Sequence, residues 1–303
     1  MTVWAGSGQP PQKSVYRPLM DFGLFLFPTD TTLQPIETGR AAEEAGFESL
    51  FLPEHSHIPV SRVTPWGGVP GASPLPEYYW RSMDPFLALS AVAATTTTLR
   101  VGTGITLVAQ RDPIWLAKEV ATLDHLSGGR TVFGIGYGWN KEEMAHHGVE
   151  YSQRRALVRE KILMMKSLWT EKVASFQGEM VQLEPSWAWP KPVQKPHPPI
   201  IMGSAAGPKT IAHMVEFCDG WMPLARRHDL EGNLAKVRQA IEAGGRDPAG
   251  FNITTYGAKE TKDNVAHLIG LGVDRIVFNL PQKEPAEVRD RIGSLGALIR
   301  EFV

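Results

Sequence analysis

Residues 100–138 read RVGTGITLVAQRDPIWLAKEVATLDHLSGGRTVFGIGYG and contain two apolar runs separated by a longer segment. The runs 100–108 and 131–138 are short and bounded by turn residues, as strands buried on both faces of a parallel sheet are. Pro113 suits the first position of a helix between them, because proline there loses no intrahelical hydrogen bond. The stretch therefore predicts one strand–helix–strand unit with parallel strands.

The same alternation of apolar run and helical segment extends along most of the chain. It predicts six further strands, at 22–27, 49–55, 199–204, 219–223, 251–257 and 273–280. Helices are predicted at 35–45, 84–94, 154–169, 209–217, 230–243, 262–271 and 286–302, besides the one that Pro113 opens. Eight parallel strands with intervening helices can close into a barrel without exposed edges. The pattern favours an α/β fold, a (β/α)8 TIM barrel, over an open doubly wound sheet, although strand order is not visible in the sequence.

Three stretches do not fit the repeating unit. Residues 1–19 are rich in Gly, Pro, Gln and Ser and are predicted to be a flexible arm, which leaves 20–303 as a single domain. Residues 56–82 are an insertion after the second strand, and since barrel active sites lie at the carboxyl ends of the strands, we expect this loop to cover the substrate. Residues 172–198, before the fifth strand, are predicted to form a small hairpin on the barrel. The apolar substrate pocket would be walled by Trp66, Tyr78, Tyr79 and Trp80.

The composition excludes several classes of protein. Lys plus Arg (31) nearly equals Asp plus Glu (32), so no overall field favours nucleic acid or an anionic membrane. The single Cys218 excludes an intramolecular disulfide and a multi-cysteine metal site. No apolar run approaches about 18 residues, and the first residues lack the apolar core of a secretory signal. We therefore expect a cytoplasmic protein with a small-molecule substrate, and neither nucleic acid nor a membrane as partner.

Polar residues directly after the strands are the candidates for chemistry. The second strand leads into Glu54, His55 and His57, and a His-x-His pair at a barrel rim would suit a metal-dependent hydrolase. The ends of the fifth, sixth and eighth strands add no His, Asp or Glu that would complete a metal site. We therefore predict no metal site and expect His55 to contact a cofactor or substrate.

Two glycine-bearing turns predict contact with a ligand. Gly134, Gly136 and Gly138 lack the spacing of a dinucleotide fingerprint, but they would let a ligand approach the backbone closely. The loop 203–210 opens a helix whose free N–H groups and dipole favour an anion. Because no acidic magnesium ligand lies near this loop, phosphate binding is predicted there rather than NTP hydrolysis.

Two longer motifs carry a resemblance to a known family. They are DHLSGGR at 124–130 and FGIGYGWNKEE at 133–143, and the Glu54-His55 step, the 102–113 turn and the 203–209 loop fit the same order. On these residues the chain resembles the bacterial luciferase-like monooxygenases, and among them the oxidoreductases that use the deazaflavin coenzyme F420. The resemblance implies a TIM barrel that binds F420 or, alternatively, flavin mononucleotide (FMN), since both share a tricyclic ring and a phosphate.

The resemblance also implies positions for the cofactor. His55 would lie beside the reactive face of the ring as proton donor or acceptor, with Tyr137 or Glu54 as alternative assistants. The bulge Thr103-Gly104-Ile105 would lie behind the ring, with a cis peptide bond between Gly104 and Ile105. The ribityl chain and phosphate would be held by Gly136, Tyr137, Gly138, Trp139 and Asn140 and by Gly203, Ser204, Ala205, Gly207 and Lys209. Arg62, Arg226 and Arg227 would meet the acidic tail of F420.

The implied activity is hydride transfer between F420 and an organic substrate under residues 56–82. Within the family the alternative is an FMN-dependent two-component monooxygenase, which needs a separate cofactor reductase. A non-catalytic ligand-binding barrel is a third interpretation. In the sugar-phosphate dehydrogenases of this branch a glutamate stands where Tyr137 is here, so the resemblance does not extend to that substrate. Relatives are commonly homodimers, and we expect a homodimer here.

Overall fold

A computed structural model describes residues 20–225 and 229–303, which contain a closed barrel of parallel strands. Its strands are β1 (Asp21–Phe25), β2 (Ser49–Leu52), β3 (Arg100–Thr103), β4 (Thr131–Ile135), β7 (Ile200–Met202), β8 (Gly220–Trp221), β9 (Asn252–Tyr256) and β10 (Arg275–Asn279). They hydrogen-bond in the order β1-β10-β9-β8-β7-β4-β3-β2, and Leu24 of β1 pairs with both Leu50 of β2 and Phe278 of β10. The predicted (β/α)8 barrel is therefore confirmed, and the open doubly wound sheet is wrong. The predicted arm, 1–19, and Arg226 and Arg227 lie outside the described residues.

Helices follow the strands around the barrel. They are α1 (Pro35–Glu44), α2 (Pro85–Thr95), α3 (Pro113–Leu126), α4 (Lys141–His146), α5 (Arg154–Thr170), α6 (Pro208–Phe217), α7 (Leu230–Ala243), α8 (Lys262–Gly270) and α9 (Pro285–Ile299). Five of them begin at proline, where the missing N–H costs nothing. Asp84 caps α2, because its carboxylate accepts from Leu87 N at 2.9 Å. Asp112 caps α3 in the same way and accepts from Trp115 N at 2.9 Å.

Every barrel strand ends before its predicted apolar run does, and three strands end at least three residues early. β2 stops at Leu52, β3 at Thr103 and β4 at Ile135, although the runs continue to residues 55, 108 and 138. Leu107 and Val108 stay buried after the ladder of β3 has ended, so hydrophobicity does not mark the end of the strand. The extra residues form the loops at the carboxyl end of the barrel, where the predicted site residues lie.

Two apolar clusters lie on opposite sides of the barrel wall. Because side chains alternate along a strand, Phe51 faces one side while Leu50 and Leu52 face the other. The inner cluster contains Phe25, Phe27, Phe51, Val132, Ile201, Met222 and Val277, and the larger outer cluster fills the space between strands and helices. Tyr78 and Tyr79 pack against the inner cluster, so the 56–82 segment lies over the barrel interior.

The two insertions differ in structure. The second contains the predicted hairpin, formed by the antiparallel strands β5 (Ala174–Gln177) and β6 (Gln182–Ser186). The first has two short 3-10 turns, Trp66–Gly68 and Glu77–Tyr79, within residues 56–82. No helix in the described part of the chain has the length and apolar character needed to cross a membrane.

Candidate active site

His55 and Glu143 form a buried pair at the carboxyl end of the barrel. His55 Nδ1 lies 2.8 Å from Glu143 Oε2, and only 7% of the His55 side chain and 0% of the Glu143 side chain are exposed. Ser56 N also donates to Glu143 Oε1 at 3.1 Å. A carboxylate at Nδ1 favours the tautomer with its proton on that nitrogen, which leaves Nε2 to exchange a proton with a ligand.

Glu143 reaches His55 because α4 starts directly after β4. Asn140 caps α4, and its Oδ1 accepts from Glu143 N at 3.4 Å. Sequence reasoning did not assign Glu143 a role in the site, although the residue lies inside the FGIGYGWNKEE motif. An Asn at the N-cap with a Glu three residues later is an ordinary helix-start pattern. The pattern alone therefore does not indicate that the Glu143 carboxylate contacts His55.

Glu54, the neighbour of His55, contacts the segment after β3 instead. Its Oε2 accepts from Leu107 N at 2.6 Å, and its Oε1 lies 2.5 Å from Arg111 Nε. Arg111 also pairs with Asp84 at 2.7 Å and with Glu119 at 2.8 Å. Burial raises the pKa of Glu54, and the Arg111 guanidinium opposes that rise. The arrangement ties the end of β2 to the turn that follows β3.

Tyr137 lies in the outer cluster, on the helix side of β4. Alternation along the chain gives it the orientation of Phe133 and Ile135, which belong to the same cluster. Its hydroxyl lies 2.7 Å from His213 Nδ1 in α6, and burial raises its pKa to about 12. The phenol is thus a neutral link between β4 and α6, and its hydrogen-bond partner is His213 rather than His55.

The end of β3 forms a bulge that contacts both neighbouring strands. The peptide bond between Gly104 and Ile105 is cis, as predicted. Gly104 N donates to Leu52 O at 2.8 Å, and Thr106 N donates to Gly134 O at 2.8 Å. The bulge therefore lies between the ends of β2 and β4.

The glycines around this bulge are explained by protein packing. A Cβ on Gly134 would lie 1.9 Å from Thr103 O. A Cβ on Gly136 or on Gly203 would lie 2.6 Å or 2.3 Å from a side-chain carbon of Ile105. Gly134 and Gly136, where the sequence predicts close approach of a ligand, thus make room for the bulge itself, and Ile105 lies between β4 and β7. Gly138, the third of these glycines, makes room for Met144, because its Cβ would lie 2.3 Å from Met144 Cε.

Aromatic side chains lie next to His55, and most of them contact Tyr79. The Tyr79 ring lies 5.1 Å from that of His55, 4.7 Å from Phe27, 5.8 Å from Trp66 and 6.2 Å from Trp139, measured between centroids. Tyr78, also predicted for the pocket, contacts Phe27 at 4.7 Å. Trp80, the fourth predicted aromatic, lies at the surface with half of its side chain exposed. The Arg62 guanidinium lies 5.6 Å from the Trp139 ring centroid.

A polar cavity of about 500 Å³ opens beside this aromatic group. It lies at the ends of β1 and β10 and is lined by Tyr78 together with three threonines, Thr29, Thr31 and Thr32. Gln282 also lines the cavity, and its Oε1 is buried without a hydrogen-bond partner among the described residues. Of these lining residues the sequence singles out only Tyr78, because threonines in a turn are common without any role in binding.

The loop between β7 and α6 has the character of an anion site. Gly207 occupies the N-cap of α6 and has no side chain that could cap it, and the first turn has no acidic residue. Trp221 Nε1 donates to Ser204 O at 2.8 Å and holds the loop against β8. Free N–H groups and the helix dipole favour an anion at such a position.

Two arginines, Arg154 and Arg155, begin α5, and Arg155 contacts the start of α6. Arg155 donates to Thr210 Oγ1 in the first turn of α6 at 3.0 Å. Burial lowers the pKa of Arg154, the phenol of Tyr151 opposes this, and Arg155 lowers it further. Arg154 Nε is buried without a hydrogen-bond partner among the described residues. The α5 dipole also disfavours cations at this end, so both arginines gain most if an anion binds there.

Among the described residues, no group of three His, Cys, Asp or Glu side chains is arranged to hold a metal ion. His57, which suggested a metal-dependent hydrolase, has its Nε2 2.8 Å from His146 Nδ1. The two imidazoles are hydrogen-bonded to each other.

The fold is that of a TIM-barrel enzyme, and the buried imidazole–carboxylate pair marks a candidate site at the carboxyl ends of its strands. A family profile described as luciferase-like monooxygenase matches residues 20–264, so the chain belongs to that family and the resemblance seen in the sequence is confirmed. It is therefore an oxidoreductase, and its relatives support a cofactor of the flavin type.

Individual relatives agree with this assignment. A protein of Mycobacterium tuberculosis, described as uncharacterized, is 38% identical over 278 residues, which are 92% of this chain and 98% of the relative. The F420-dependent glucose-6-phosphate dehydrogenase of Kineococcus radiotolerans is 31% identical over 212 residues, 68% of this chain and 57% of the relative. The structure of the coenzyme F420 dependent tetrahydromethanopterin reductase from Methanopyrus kandleri superimposes with a TM-score of 0.71 at 18% identity, covering 94% of this chain and 99% of that one. The last comparison concerns the fold alone.

Proposed function

We propose that this protein is an F420-dependent oxidoreductase that transfers a hydride between the deazaflavin and an organic substrate. The observation that carries the proposal is the buried His55–Glu143 pair at 2.8 Å, placed beside the Tyr79 and Trp139 rings. When bound, F420 accepts or donates a hydride at carbon five of its ring. The protein must then position the substrate and move one proton.

His55 is the residue proposed to move that proton. With Glu143 at Nδ1, Nε2 takes the hydroxyl proton of an alcohol as its carbon–oxygen double bond forms, and it returns the proton in the reverse direction. Glu143 stabilises the imidazolium that results. Glu54 is engaged with Arg111, and the Tyr137 hydroxyl with His213, so both are proposed to position the site rather than to transfer protons.

The residues present fit the tricyclic ring of the cofactor. Thr106 Oγ1 and Asn140 Nδ2 are buried after β3 and β4 without hydrogen-bond partners among the described residues. A ring that carries carbonyl and N–H groups would supply partners for both, and this would offset the cost of burying them unpaired. Ile105, seated between Gly136 and Gly203, would support the ring from behind.

The two arginines of α5 favour F420 over FMN. The phosphate of either cofactor would bind at the start of α6, between Ser204 and Lys209. F420 continues beyond its phosphate into an acidic tail, whereas FMN ends there. Arg154 and Arg155 supply positive charge next to the phosphate position, which only the longer cofactor would use fully.

Anaerobic turnover tests the proposed reaction. The protein would be supplied with F420 and a panel of alcohols, and with reduced F420 and a panel of carbonyl and enone compounds. A change in the oxidation state of F420 without oxygen supports the proposal. Turnover only with reduced FMN and oxygen would instead identify a two-component monooxygenase.

The predicted homodimer is also a proposal. Leu87 of α2 and Ile114 and Trp115 of α3 are exposed near the starts of their helices, and exposed apolar groups of this size favour a protein contact. Light scattering would show a dimer that Trp115→Lys weakens. A monomeric wild type would contradict the proposal.

A further inference from the structure

We propose that the polar cavity at the ends of β1 and β10 binds a neutral polyhydroxyl compound, a sugar or polyol without phosphate or carboxylate. The volume of the cavity, about 500 Å³, lies in the usual range for small-molecule sites. The cavity is lined by residues other than those proposed to contact F420 or to move the proton. The proposal therefore goes beyond the proposed function and holds whichever cofactor binds.

The side-chain amide of Gln282 is the observation that points to a ligand. Its Nε2 donates to Phe27 O at 3.3 Å, and this bond fixes which side of the amide carries the oxygen. Oε1 is buried and has no hydrogen-bond partner among the described residues, although Gln282 lines the cavity. An amide oxygen that is buried without a partner costs free energy. A ligand hydroxyl in the cavity would donate to this oxygen and remove that cost.

The turn after β1 lines the cavity with hydroxyl groups that the protein holds in place. Gln34 Nε2 donates to the carbonyl oxygens of Thr29 and Thr32, at 3.2 and 3.0 Å. Thr29 N donates to Thr32 Oγ1 at 3.0 Å, and Thr31 Oγ1 lies 3.2 Å from Thr29 Oγ1. Thr31 is exposed whereas Thr29 and Thr32 are buried, so the Thr31 hydroxyl is the most accessible of the three. Because a hydroxyl both donates and accepts, this turn suits a ligand that also carries hydroxyl groups.

Tyr78 adds an aromatic surface and a phenol to the cavity. Its ring packs against Phe27 and Tyr79, with 4.7 and 5.2 Å between centroids, and these contacts hold it in position. Burial raises the pKa of Tyr78, so the phenol stays protonated at neutral pH and can donate as well as accept. The ring also offers an apolar surface to the carbon-bound hydrogens of a sugar. The cavity thus combines apolar contact with several hydrogen-bonding groups, as a polyhydroxyl ligand requires.

Arg81, one of the cations that line the cavity, is already paired within the protein. Its guanidinium donates to the two carboxylate oxygens of Asp30 at 2.7 and 2.6 Å. It also donates to Glu77 Oε1 at 2.8 Å. A phosphate or carboxylate that entered the cavity would therefore meet a guanidinium that two carboxylates already neutralise. This arrangement disfavours an anionic ligand.

The start of α9 adds one cation and two acids to the lining. Lys283 is exposed, Glu284 is the N-cap residue and Glu287 lies in the first turn. The two carboxylates repel an anion. The positive end of the helix dipole already stabilises them, so they gain little from an added cation. A ligand without charge is therefore favoured on this side of the cavity as well.

An NMR titration of the ¹⁵N-labelled full chain tests the proposal. The protein, free of cofactor and purified without glycerol or sugar, would be titrated with D-glucose, D-mannitol and myo-inositol. Gluconate, glucosamine and glucose 6-phosphate are the charged counterparts. We expect at least one neutral compound to bind with a dissociation constant of about 1 mM or tighter, and the charged compounds to bind at least about tenfold more weakly. Failure of all three neutral compounds to bind, or tighter binding of a charged one, would overturn the proposal.

Variants show whether the binding occurs in this cavity. Gln282→Leu removes the unpaired oxygen at similar side-chain size and should weaken binding about tenfold, as expected for one lost hydrogen bond. Thr31→Val should also weaken binding, whereas Thr31→Ser, which keeps the hydroxyl, should stay near the wild type. Gln239→Leu, on the exposed side of α7, is the matched control and should have no effect.

Unchanged affinity in both Gln282→Leu and Thr31→Val would overturn the site. Equal losses in Thr31→Val and Thr31→Ser would also count against it, because they would indicate a structural effect rather than a lost hydroxyl. Since no cofactor is present in these titrations, either result would leave the F420 proposal standing. A failure of the protein to bind F420 would likewise leave the sugar-binding result standing.

Discussion

Glu143 Oε2 lies 2.8 Å from His55 Nδ1, although 88 positions of sequence separate the two residues. The barrel brings them together, because His55 follows β2 and Glu143 lies in the helix that follows β4. Both side chains are almost fully buried, so the carboxylate acts on the imidazole with little screening by water. The proposed chemistry depends on this pair.

Loss of either member of the pair should reduce turnover far more than cofactor affinity. His55→Ala removes the proposed proton donor and acceptor and should lower kcat roughly 100-fold or more. Glu143→Gln keeps the size of the side chain but removes the charge that stabilises the imidazolium, and it should also lower kcat. Rates and cofactor dissociation constants would be measured together, with His267→Gln as control. An unchanged kcat in His55→Ala would remove His55 from the mechanism.

Arg154 and Arg155 should contribute more to F420 binding than to FMN binding. Replacing either with Gln removes a cation from the proposed tail site, and F420 affinity should fall by roughly tenfold. FMN affinity should fall less, because FMN ends at its phosphate. The measurement is a fluorescence titration of each variant with both cofactors, and Arg40→Gln, an exposed arginine on α1, is the control. Equal losses for both cofactors would argue against a tail site.

Glu142 should stabilise the 56–82 segment in a pH-dependent way. Its carboxylate accepts from Val63 N and Thr64 N at 2.9 and 3.0 Å, and its pKa is lowered from 4.5 to about 2, with these hydrogen bonds outweighing the opposing effect of burial. A depressed folded-state pKa means that the contribution is complete above pH 4.5 and is lost as the pH falls toward 2. The difference in free energy of unfolding between wild type and Glu142→Ala should therefore shrink over that interval.

A variant of Glu43 separates an effect on the 56–82 segment from a general loss of stability. Glu43 has its pKa lowered to about 2 by comparable hydrogen bonds, from Thr98 and Leu99. Glu43→Ala should show the same pH dependence of stability, but only Glu142→Ala should speed proteolysis within residues 56–82. Equal proteolysis of the two variants would contradict a specific role for Glu142.

Enlarging Gly203 against Ile105 should lower the free energy of unfolding. A Cβ on Gly203 would lie 2.3 Å from Ile105 Cγ2, so Gly203→Ala should cost about 1–3 kcal/mol of unfolding free energy. Combining it with Ile105→Ala should recover part of that loss, which denaturant unfolding would measure as a coupling between the sites. Gly250→Ala, where a Cβ meets nothing within 4 Å, is the control. Additive effects would contradict the packing described.

Much of the fold could be predicted from the sequence, because buried parallel strands and amphipathic helices leave distinct patterns. The ends of the strands could not be predicted, because Leu107 and Val108 stay buried beyond Thr103, the last residue of β3. Within the candidate site, the sequence singles out His55 but not its partner Glu143, because the position of Glu143 is also that of a helix-capping glutamate. The outward orientation of Tyr137 was available from its spacing to Phe133 and Ile135.

The proposed anion site depends on packing that the sequence does not show. The glycine loop before α6 predicted phosphate binding, but the approach of Arg155 to Thr210 depends on how two helices pack. Two arginines and no acid in the first turn of α5 were a usable signal, since the helix dipole disfavours that arrangement. The contacts of His147 with Ser56 and of His146 with His57 likewise depend on packing, because α4 must lie against the end of β2.

The relative affinities for F420 and FMN decide between the two proposed cofactors. The purified protein, freed of bound cofactor, would be titrated with F420 and with FMN under identical conditions. We expect saturable binding of F420 at least about tenfold tighter than that of FMN, with the affinity for F420 falling in Arg154→Gln and unchanged in Arg40→Gln. Tighter binding of FMN than of F420 would contradict it.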